Sequence, residues 1–334
     1  MTLSNTRKST LDDRTFSIRQ EDNPTISVVV PVQNEAGNIL PLYRKLVEHL
    51  SIITSRFFII FSDDGSSDNT PVIIGNLIKN DPNVGIIRLS RNFGHQGAVM
   101  AGLDHATGDV VIVMDGDLQH PPELIPKMIQ AWRNGSDIVL TRRHDAAATG
   151  FFKKATGFLF YSIFNRLTNV HLEIGSADFF LISKPVREAL KQCRESTRFH
   201  RGLLPWLGFE RSYLDYDAGV RERGNSKYNL RKMLTLAFDG ICGFSVVPLR
   251  VSGVLGLLSV TFSLIYMMYA ITCRLLGFEL EQGWTSLLSV VIFLAGIQLT
   301  ILWVHGEYLA RVFLETRQRP PYVVREISVK NHEE

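Results

Sequence analysis

The chain has 334 residues, enough for one large soluble domain and a membrane segment. A formal net charge of +3 is too small to point to nucleic acid as a partner. Its three cysteines, Cys193, Cys242 and Cys273, stand far apart with no metal or redox spacing, which argues against a disulfide-built secreted fold.

Residues 1–24 are polar and carry both charge signs (Arg7, Lys8, Asp12, Asp13, Arg14). They lack the apolar core of a signal peptide, so a flexible tail is expected here and the domain that follows is expected to stay in the cytosol. From residue 25, apolar runs alternate with stretches of helical spacing. Ile26 to Val30 reads as a buried strand ending at Pro31, and Ala36 to Leu50 as a helix. Phe57 to Phe61, Val84 to Leu89, Asp109 to Met114 and Asp137 to Thr141 read as four further strands. Helices are expected over Thr70 to Lys79, over Gln96 to Thr107 and from Pro121-Pro122 onward. Continuous apolar strands alternating with helices imply an α/β fold with a mostly parallel sheet covered on both faces.

The polar residues gather just after these strands. Gln33-Asn34-Glu35 follows the first, Asp63-Asp64-Gly65-Ser66 the second and Arg91-Asn92-Phe93-Gly94 the third. Asp115-Gly116-Asp117-Leu118-Gln119 follows the fourth, and Arg142-Arg143 the fifth. In an open α/β sheet ligands bind beyond the carboxyl ends of the strands, so the five loops together read as a site. Asp115 and Asp117, two apart around a glycine, can turn toward one hard cation, Mg²⁺ or Mn²⁺, that keeps positions for phosphate. A solvated turn is the plainer reading of such a pair. Asp63 and Asp64 can accept hydrogen bonds from a base or ribose, or cap the next helix. Glu35 can meet the nucleoside or favour a helix start.

Two amphipathic stretches come next, at about 151–170 and at 228–250. Each sets a basic face beside an apolar, partly aromatic one, which suits a helix in the headgroup layer or one packed on the sheet. Val251 to Cys273 and Trp284 to Val304 contain no charged residue. At 1.5 Å per residue, about 20 residues cross a ~30 Å hydrocarbon core. Arg250 on one outer flank, with Arg311, Arg317, Arg319 and Arg325 on the other, places both termini on the cytoplasmic side.

Val28-Val-Val-Pro-Val-Gln-Asn-Glu35, Asp63-Asp-Gly-Ser-Ser-Asp68 and Asp115-Gly-Asp-Leu-Gln-His-Pro-Pro-Glu123 resemble the motifs of family-2, GT-A-fold (Rossmann-like) glycosyltransferases. With the two C-terminal spans, the chain resembles the polyprenyl-phosphate glycosyltransferases over about residues 25 to 320. These comprise dolichyl-phosphate mannosyltransferases and bacterial enzymes that load sugar onto undecaprenyl phosphate, and the two-span tail is most similar to the bacterial glucosyltransferase group. Gln33 stands where the family often has Tyr. The resemblance implies that Asp115, Asp117 and Gln119 hold Mg²⁺ or Mn²⁺, with Asp117 essential to catalysis. It implies that Pro31, Glu35 and Asp63, joined by Asp64 and Asp115, bind the nucleotide sugar. Asp178, in Gly175-Ser-Ala-Asp-Phe-Phe180, would lie near the acceptor as base or positioning group, or else be a loop carboxylate bonded to backbone. Arg142 and Arg143, with Arg221, Arg223, Ser226 and Lys227 of an Arg-X-X-Gly-X-Ser-Lys-Tyr-like string, would bind the acceptor phosphate.

The expected organisation is a tail (1–24), a cytosolic catalytic domain (25–227), a juxtamembrane helix (228–250), two membrane helices (251–306) and a cytoplasmic tail (307–334). The expected activity is metal-dependent, inverting transfer of a sugar from UDP-glucose to undecaprenyl phosphate at the cytoplasmic face of the membrane. GDP-mannose is the alternative donor, and the family suggests a homotetramer. A processive polysaccharide synthase would need more spans and a Gln-X-X-Arg-Trp string. A non-enzymatic membrane adaptor would not need five polar loops on one sheet edge.

Overall fold

A computed structural model describes residues 23–144, 166, 173, 175–193, 200–217, 242, 245–276 and 283–328. Its centre is an eight-stranded sheet made of β1 (Ile26–Val32), β2 (Phe57–Asp63), β3 (Val84–Leu89), β4 (Val110–Val113), β5 (Ile138–His144), β6 (Ser176–Ser183), β7 (Arg211–Asp217) and β8 (Val324–Ser328). The spatial order is β7-β5-β6-β4-β1-β2-β3-β8. Only β6 and β8 run against the others: β6 is antiparallel to β4 and β5, and β8 to β3. The sheet is thus mostly parallel, as the apolar runs imply.

Every residue of β1, β2 and β4 is buried, because helices cover both faces. The period-2 alternation of a strand sorts β1 between two cores. Val28 and Val30 join Leu42, Leu46 and Trp132 beneath α1 (Ile39–Ile53), α2 (Thr70–Asn80) and α4 (Ile125–Arg133). Val29 joins Val99, Leu103, Leu190 and Leu203 beneath α3 (His95–His105), α5 (Lys184–Gln192) and α6 (His200–Trp206). Strands β1 and β2 run two residues past their expected ends, because each stays paired through Val32 and Asp63. Helix α1 starts at Ile39 rather than Ala36. The intervening loop is held in turns by its neighbour: the Glu35 amide donates to Thr70 Oγ1 and the Asn34 amide to Ser66 Oγ, at 2.9 Å each.

Two long helices follow, α7 (Val247–Leu275) and α8 (Trp284–Thr316), which contain the two expected spans. Both are long and apolar enough to cross a membrane, and almost none of their side chains are covered by the rest of the protein. A core helix of a soluble domain would bury its apolar residues; here Leu257 and Phe293 are each 68% exposed. Val247 to Arg250, expected to end a separate juxtamembrane helix, instead form the first turn of α7. Tyr308 near the end of α8 donates to the Ser245 carbonyl just before α7 at 2.6 Å, which ties the open ends of the hairpin together.

The expected tail 307–334 is corrected: the chain completes α8 through Thr316 and then adds β8 to the sheet. Left alone, β3 would expose a row of unpaired amides and carbonyls, and β8 satisfies them. Tyr322 and Val324 pack on the second core, and the Tyr322 hydroxyl donates to Asp104 Oδ2 at 2.8 Å. At the other terminus Asn23 and Pro24 are anchored to Thr54 by hydrogen bonds. Residues 1–22, 228–241 and 329–334, and all of 151–170 but Arg166, lie outside the described residues.

Helix α3 approaches the sheet through small residues. A Cβ on Gly102 would sit 2.1 Å from Val29 Cγ1, inside β1. Gly102→Ala is therefore expected to destabilise the protein by about 1–3 kcal/mol through overpacking, read as a lowered midpoint of thermal unfolding of the detergent-solubilised chain; an unchanged midpoint would show that α3 can move away.

Candidate active site

Strand register brings two of the candidate carboxylates, Asp115 and Asp178, to one sheet edge. Val113 of β4 lies opposite Phe180 of β6. In an antiparallel pair, two residues later on one strand face two residues earlier on the other, so the register carries Asp115 toward Asp178. Because β6 runs backward, its first residues lie at the carboxyl edge of the parallel strands. The Asp115-Gly116-Asp117 turn packs directly on β1: a Cβ at Gly116 would sit 2.8 Å from Val32 Cγ1 and 3.4 Å from the Pro31 carbonyl oxygen. This is the contribution of Pro31 to the site.

Asp117 is held by its own loop. Its Oδ1 accepts the Gln119 amide at 3.1 Å and its Oδ2 the Gln119 side-chain Nε2 at 2.6 Å. Gln119 Oε1 in turn accepts from the Arg143 guanidinium at 3.1 Å. Gln119, expected among the metal ligands, bridges Asp117 and Arg143. Asp115 rests on His120. The Asp115 amide donates to His120 Nδ1 at 3.0 Å, which fixes the tautomer with its proton on Nε2, 3.7 Å from Asp115 Oδ2. His120 is itself stacked on Phe179 and edge-on to Tyr216. Burial holds the His120 imidazole below its ordinary pKa.

Asp178 is paired with Arg201 on α6 through two hydrogen bonds of 2.7 and 2.8 Å. Burial alone would raise its pKa, but the Arg201 guanidinium, helped by His95 and His200, holds it at about 2. A carboxylate that acidic is ionised at neutral pH, which suits positioning and charge better than general-base work. His95, the first residue of α3, lies between the two strand-end carboxylates, its Nε2 3.6 Å from Asp115 Oδ1 and 3.8 Å from Asp178 Oδ2.

The electrostatics call for a cation. Asp115 is raised above the usual carboxylate range, first by burial and then by Asp178 and Asp117, against the pull of His120 and His95. Glu35 is raised by burial, against its Asn38 hydrogen bond, with Asp117, Asp68 and Asp115 adding to the rise. Asp115 Oδ1 is buried and accepts no hydrogen bond among the described residues. No group of three or more His, Cys, Asp or Glu among the described residues forms a ready metal cage. Asp115 and Asp117 thus offer part of a coordination shell, which suits a hard divalent ion completed by phosphate oxygens and water.

The remaining expected residues divide. Asp63 is fully buried at the end of β2; its Oδ1 accepts the Ser66 amide at 3.0 Å and Arg88 Nε lies 3.4 Å from its Oδ2. Asp64 clamps the third loop, accepting the Phe93 amide at 2.6 Å and the Gly94 amide at 3.0 Å. Both carboxylates therefore shape the loops around a ligand before they touch one. Arg142 and Arg143 point to opposite faces of β5, as neighbours on a strand must. Arg143 faces Gln119, whereas Arg142 pairs with Asp215 of β7 at 2.7 and 3.2 Å and lies over the Tyr213 ring. That ion pair is at odds with a phosphate-binding role for Arg142. Arg221, Arg223, Ser226 and Lys227 lie outside the described residues.

Sequence reasoning missed His95, His120 and Arg201. His120 sits inside a motif string, and His95 directly follows a strand-end loop, so position could have pointed to both. Nothing local marks Arg201, whose partner is 23 residues away.

Comparison with known proteins identifies the family. The family model for glycosyl transferase family 2 matches residues 27–190. A prophage bactoprenol glucosyl transferase homolog of Escherichia coli (strain K12) is 38% identical, over 90% of this chain and 99% of its own length. The bactoprenol glucosyl transferase of Shigella phage SfV is 39% identical over 90% and 98%. The glycosyltransferase YkcC of Bacillus subtilis (strain 168) is 38% identical over 90% and 93%. Among solved structures, a mannosyltransferase from Pyrobaculum calidifontis in complex with GDP-Man and Mn²⁺ superposes with a TM-score of 0.47 at 14% identity, over 89% of this chain and 87% of that one. With its strand-end carboxylates and its near full-length relatives, the chain is a glycosyltransferase and belongs to glycosyl transferase family 2.

Proposed function

We propose that this enzyme transfers glucose from UDP-glucose to undecaprenyl phosphate at the cytoplasmic face of a membrane, with inversion at the anomeric carbon. The observation that carries the reading is the meeting of Asp115, Asp117 and an acidic Asp178 at one sheet edge of a chain with a two-helix apolar hairpin. Its relatives named as bactoprenol glucosyl transferases, near full length, support the sugar and the lipid.

The chemistry follows from charge. Both reactants are anions. Asp115 and Asp117 would hold Mg²⁺ or Mn²⁺, and a bound divalent cation offsets the charge that develops on the departing diphosphate. Glu35 borders the same pocket from the first loop, where the nucleoside would lie. Arg143, through Gln119, steadies the Asp117 carboxylate. The acceptor is a phosphate monoester with a second pKa of about 6, so it arrives largely ionised and needs no strong base. A sugar hydroxyl acceptor would need one, and Asp178 at about 2 is ill suited to that task. The basic string Arg221 to Lys227, just ahead of the hairpin, would supply cations for the lipid phosphate.

Four expected outcomes test this reading. Membranes containing the protein, given a panel of labelled nucleotide sugars, should form organic-extractable labelled lipid from UDP-glucose; label only from GDP-mannose would move the donor, and none from any sugar would remove the acceptor. Asp117→Ala should cut transfer by at least about 10²-fold, the scale for losing a group that stabilises developing charge, and leave the protein folded in the membrane. Chelation should abolish activity and Mg²⁺ or Mn²⁺ restore it; full velocity in cation-depleted preparations would overturn the metal role. Arg201→Gln removes the cation that lowers the Asp178 pKa while burial still raises it, so the acidic limb of the activity profile should move to higher pH. A limb that stays in place would mean that the charge on Asp178 is not needed.

A further inference from the structure

His95 is placed with more care than its chemistry in the resting site requires. It opens α3 directly after Gly94, whose φ of +88° turns the chain into the helix. The amides of Phe93 and Gly94 are both tied to Asp64, so the backbone ahead of His95 is fixed. The ring ends up between the two strand-end carboxylates, yet its Nε2 is 3.6 Å from one and 3.8 Å from the other. Those separations are beyond a hydrogen bond. Among the described residues His95 makes no hydrogen bond, and its side chain is 40% exposed.

Neither carboxylate is hydrogen-bonded to it, although its ring lies close enough to favour the charge on both. Asp178 is already bonded twice to Arg201, and Asp115 is seated on His120 through its amide. A donor held in position by its backbone, hydrogen-bonded to neither neighbour and open to solvent is arranged for a third group that arrives later. Its location says which group. In the reading proposed above, Asp115 holds the cation and with it the diphosphate, and Asp178 borders the acceptor; the His95 ring reaches both carboxylates. A nucleophile in line with the leaving group must come in beside Asp178, where its negative charge meets a carboxylate and needs a hydrogen-bond donor.

We propose that His95 is a catalytic residue that contacts the acceptor, donating from its imidazole to the phosphate oxygen that attacks the sugar. This rests on the reading of the acceptor given above. In the step it serves, a phosphate oxygen forms a bond to C1 of glucose while the bond from C1 to the diphosphate oxygen breaks. The electron pair leaves on UDP, and no proton changes hands because the acceptor enters as an anion. His95 fixes the attacking oxygen and offsets the repulsion from Asp178, so its loss should fall on the acceptor and spare the donor.

The experiment uses the full-length protein in detergent with UDP-glucose and undecaprenyl phosphate, comparing wild type, His95→Ala and His95→Gln. A hydrogen bond to a charged group contributes about 1.5–3 kcal/mol, so His95→Ala should lower kcat/KM for undecaprenyl phosphate roughly tenfold to a hundredfold. The KM for UDP-glucose and the equilibrium binding of UDP should stay within about twofold, which also reports that the variant is folded. His95→Gln, which keeps an amide donor, should recover part of the loss. An equal loss in UDP binding would move His95 to the donor, and unchanged acceptor kinetics would remove it from the reaction; either overturns the inference. Wild-type protein that forms no glycolipid would instead overturn the acceptor reading itself, and this inference with it.

Discussion

The site depends on one constraint: the register of β4 against β6 brings two carboxylates face to face at the edge of a buried sheet. The nearby Asp178 charge adds to the rise that burial gives Asp115, which favours a cation beside it. Each neighbouring feature answers that repulsion. Arg201 neutralises Asp178 from one side, His120 and its aromatic stack seat Asp115 from below, and the Asp117 carboxylate is drawn back through Gln119 to Arg143. Among the described residues Asp115 Oδ1 is left without a hydrogen bond, next to the charge of Asp117, and in the proposed reading a divalent ion would be held there.

The scaffold makes that arrangement stiff. Continuous apolar strands buried on both faces leave no freedom to slip, since a one-residue shift would turn every side chain to the wrong core. The Asp-Gly-Asp turn is wedged against Pro31 and Val32, and only glycine fits between them. Gly65 has the same role two strands away: its φ is +70° and a Cβ would meet the Arg91 carbonyl carbon at 2.7 Å. The loops after β2 and β3 are thus pressed together, with Asp64 as the clamp. Two pairs of aspartates that look alike in sequence, at 63–64 and 115–117, therefore do different work. The first pair is enclosed and shapes loops, while the second stands half-exposed over the pocket.

Much of this was legible from the residues. Uninterrupted runs such as Ile26 to Val30 can only be strands covered on both sides, and their following loops mark the ligand edge. The Asp-Gly-Asp turn is readable because a strand, a flexible residue and a pair of hard ligands come in that order. What escaped depends on pairing between distant segments. Strand β6 running backward, β8 arriving from beyond the hairpin and Arg201 reaching Asp178 are all matters of register, and local periodicity carries no register. Arg142 and Arg143 show the middle case. Two adjacent basic residues look like one phosphate-binding patch, but strand alternation sends them to opposite faces, and that much was deducible once the strand was extended through them.

The return of the chain after the hairpin gives the membrane segment a structural meaning that its apolar length alone lacks. A hairpin joined to a domain at one end swivels. Here the open ends are tied by Tyr308 and Ser245, and the exit strand β8 is built into the sheet beside β3. The same strand braces the third loop, since the Val323 carbonyl accepts the Ser90 amide at 2.8 Å. That loop leads directly to His95. The anchor and the reacting centre are therefore linked by a short run of backbone hydrogen bonds rather than by a loose tether. A nucleophile that is itself fixed in a bilayer by its lipid chain has little freedom to search for a moving site. In the proposed reading, that link would place the ordering in the folded protein, where it is present before either substrate binds.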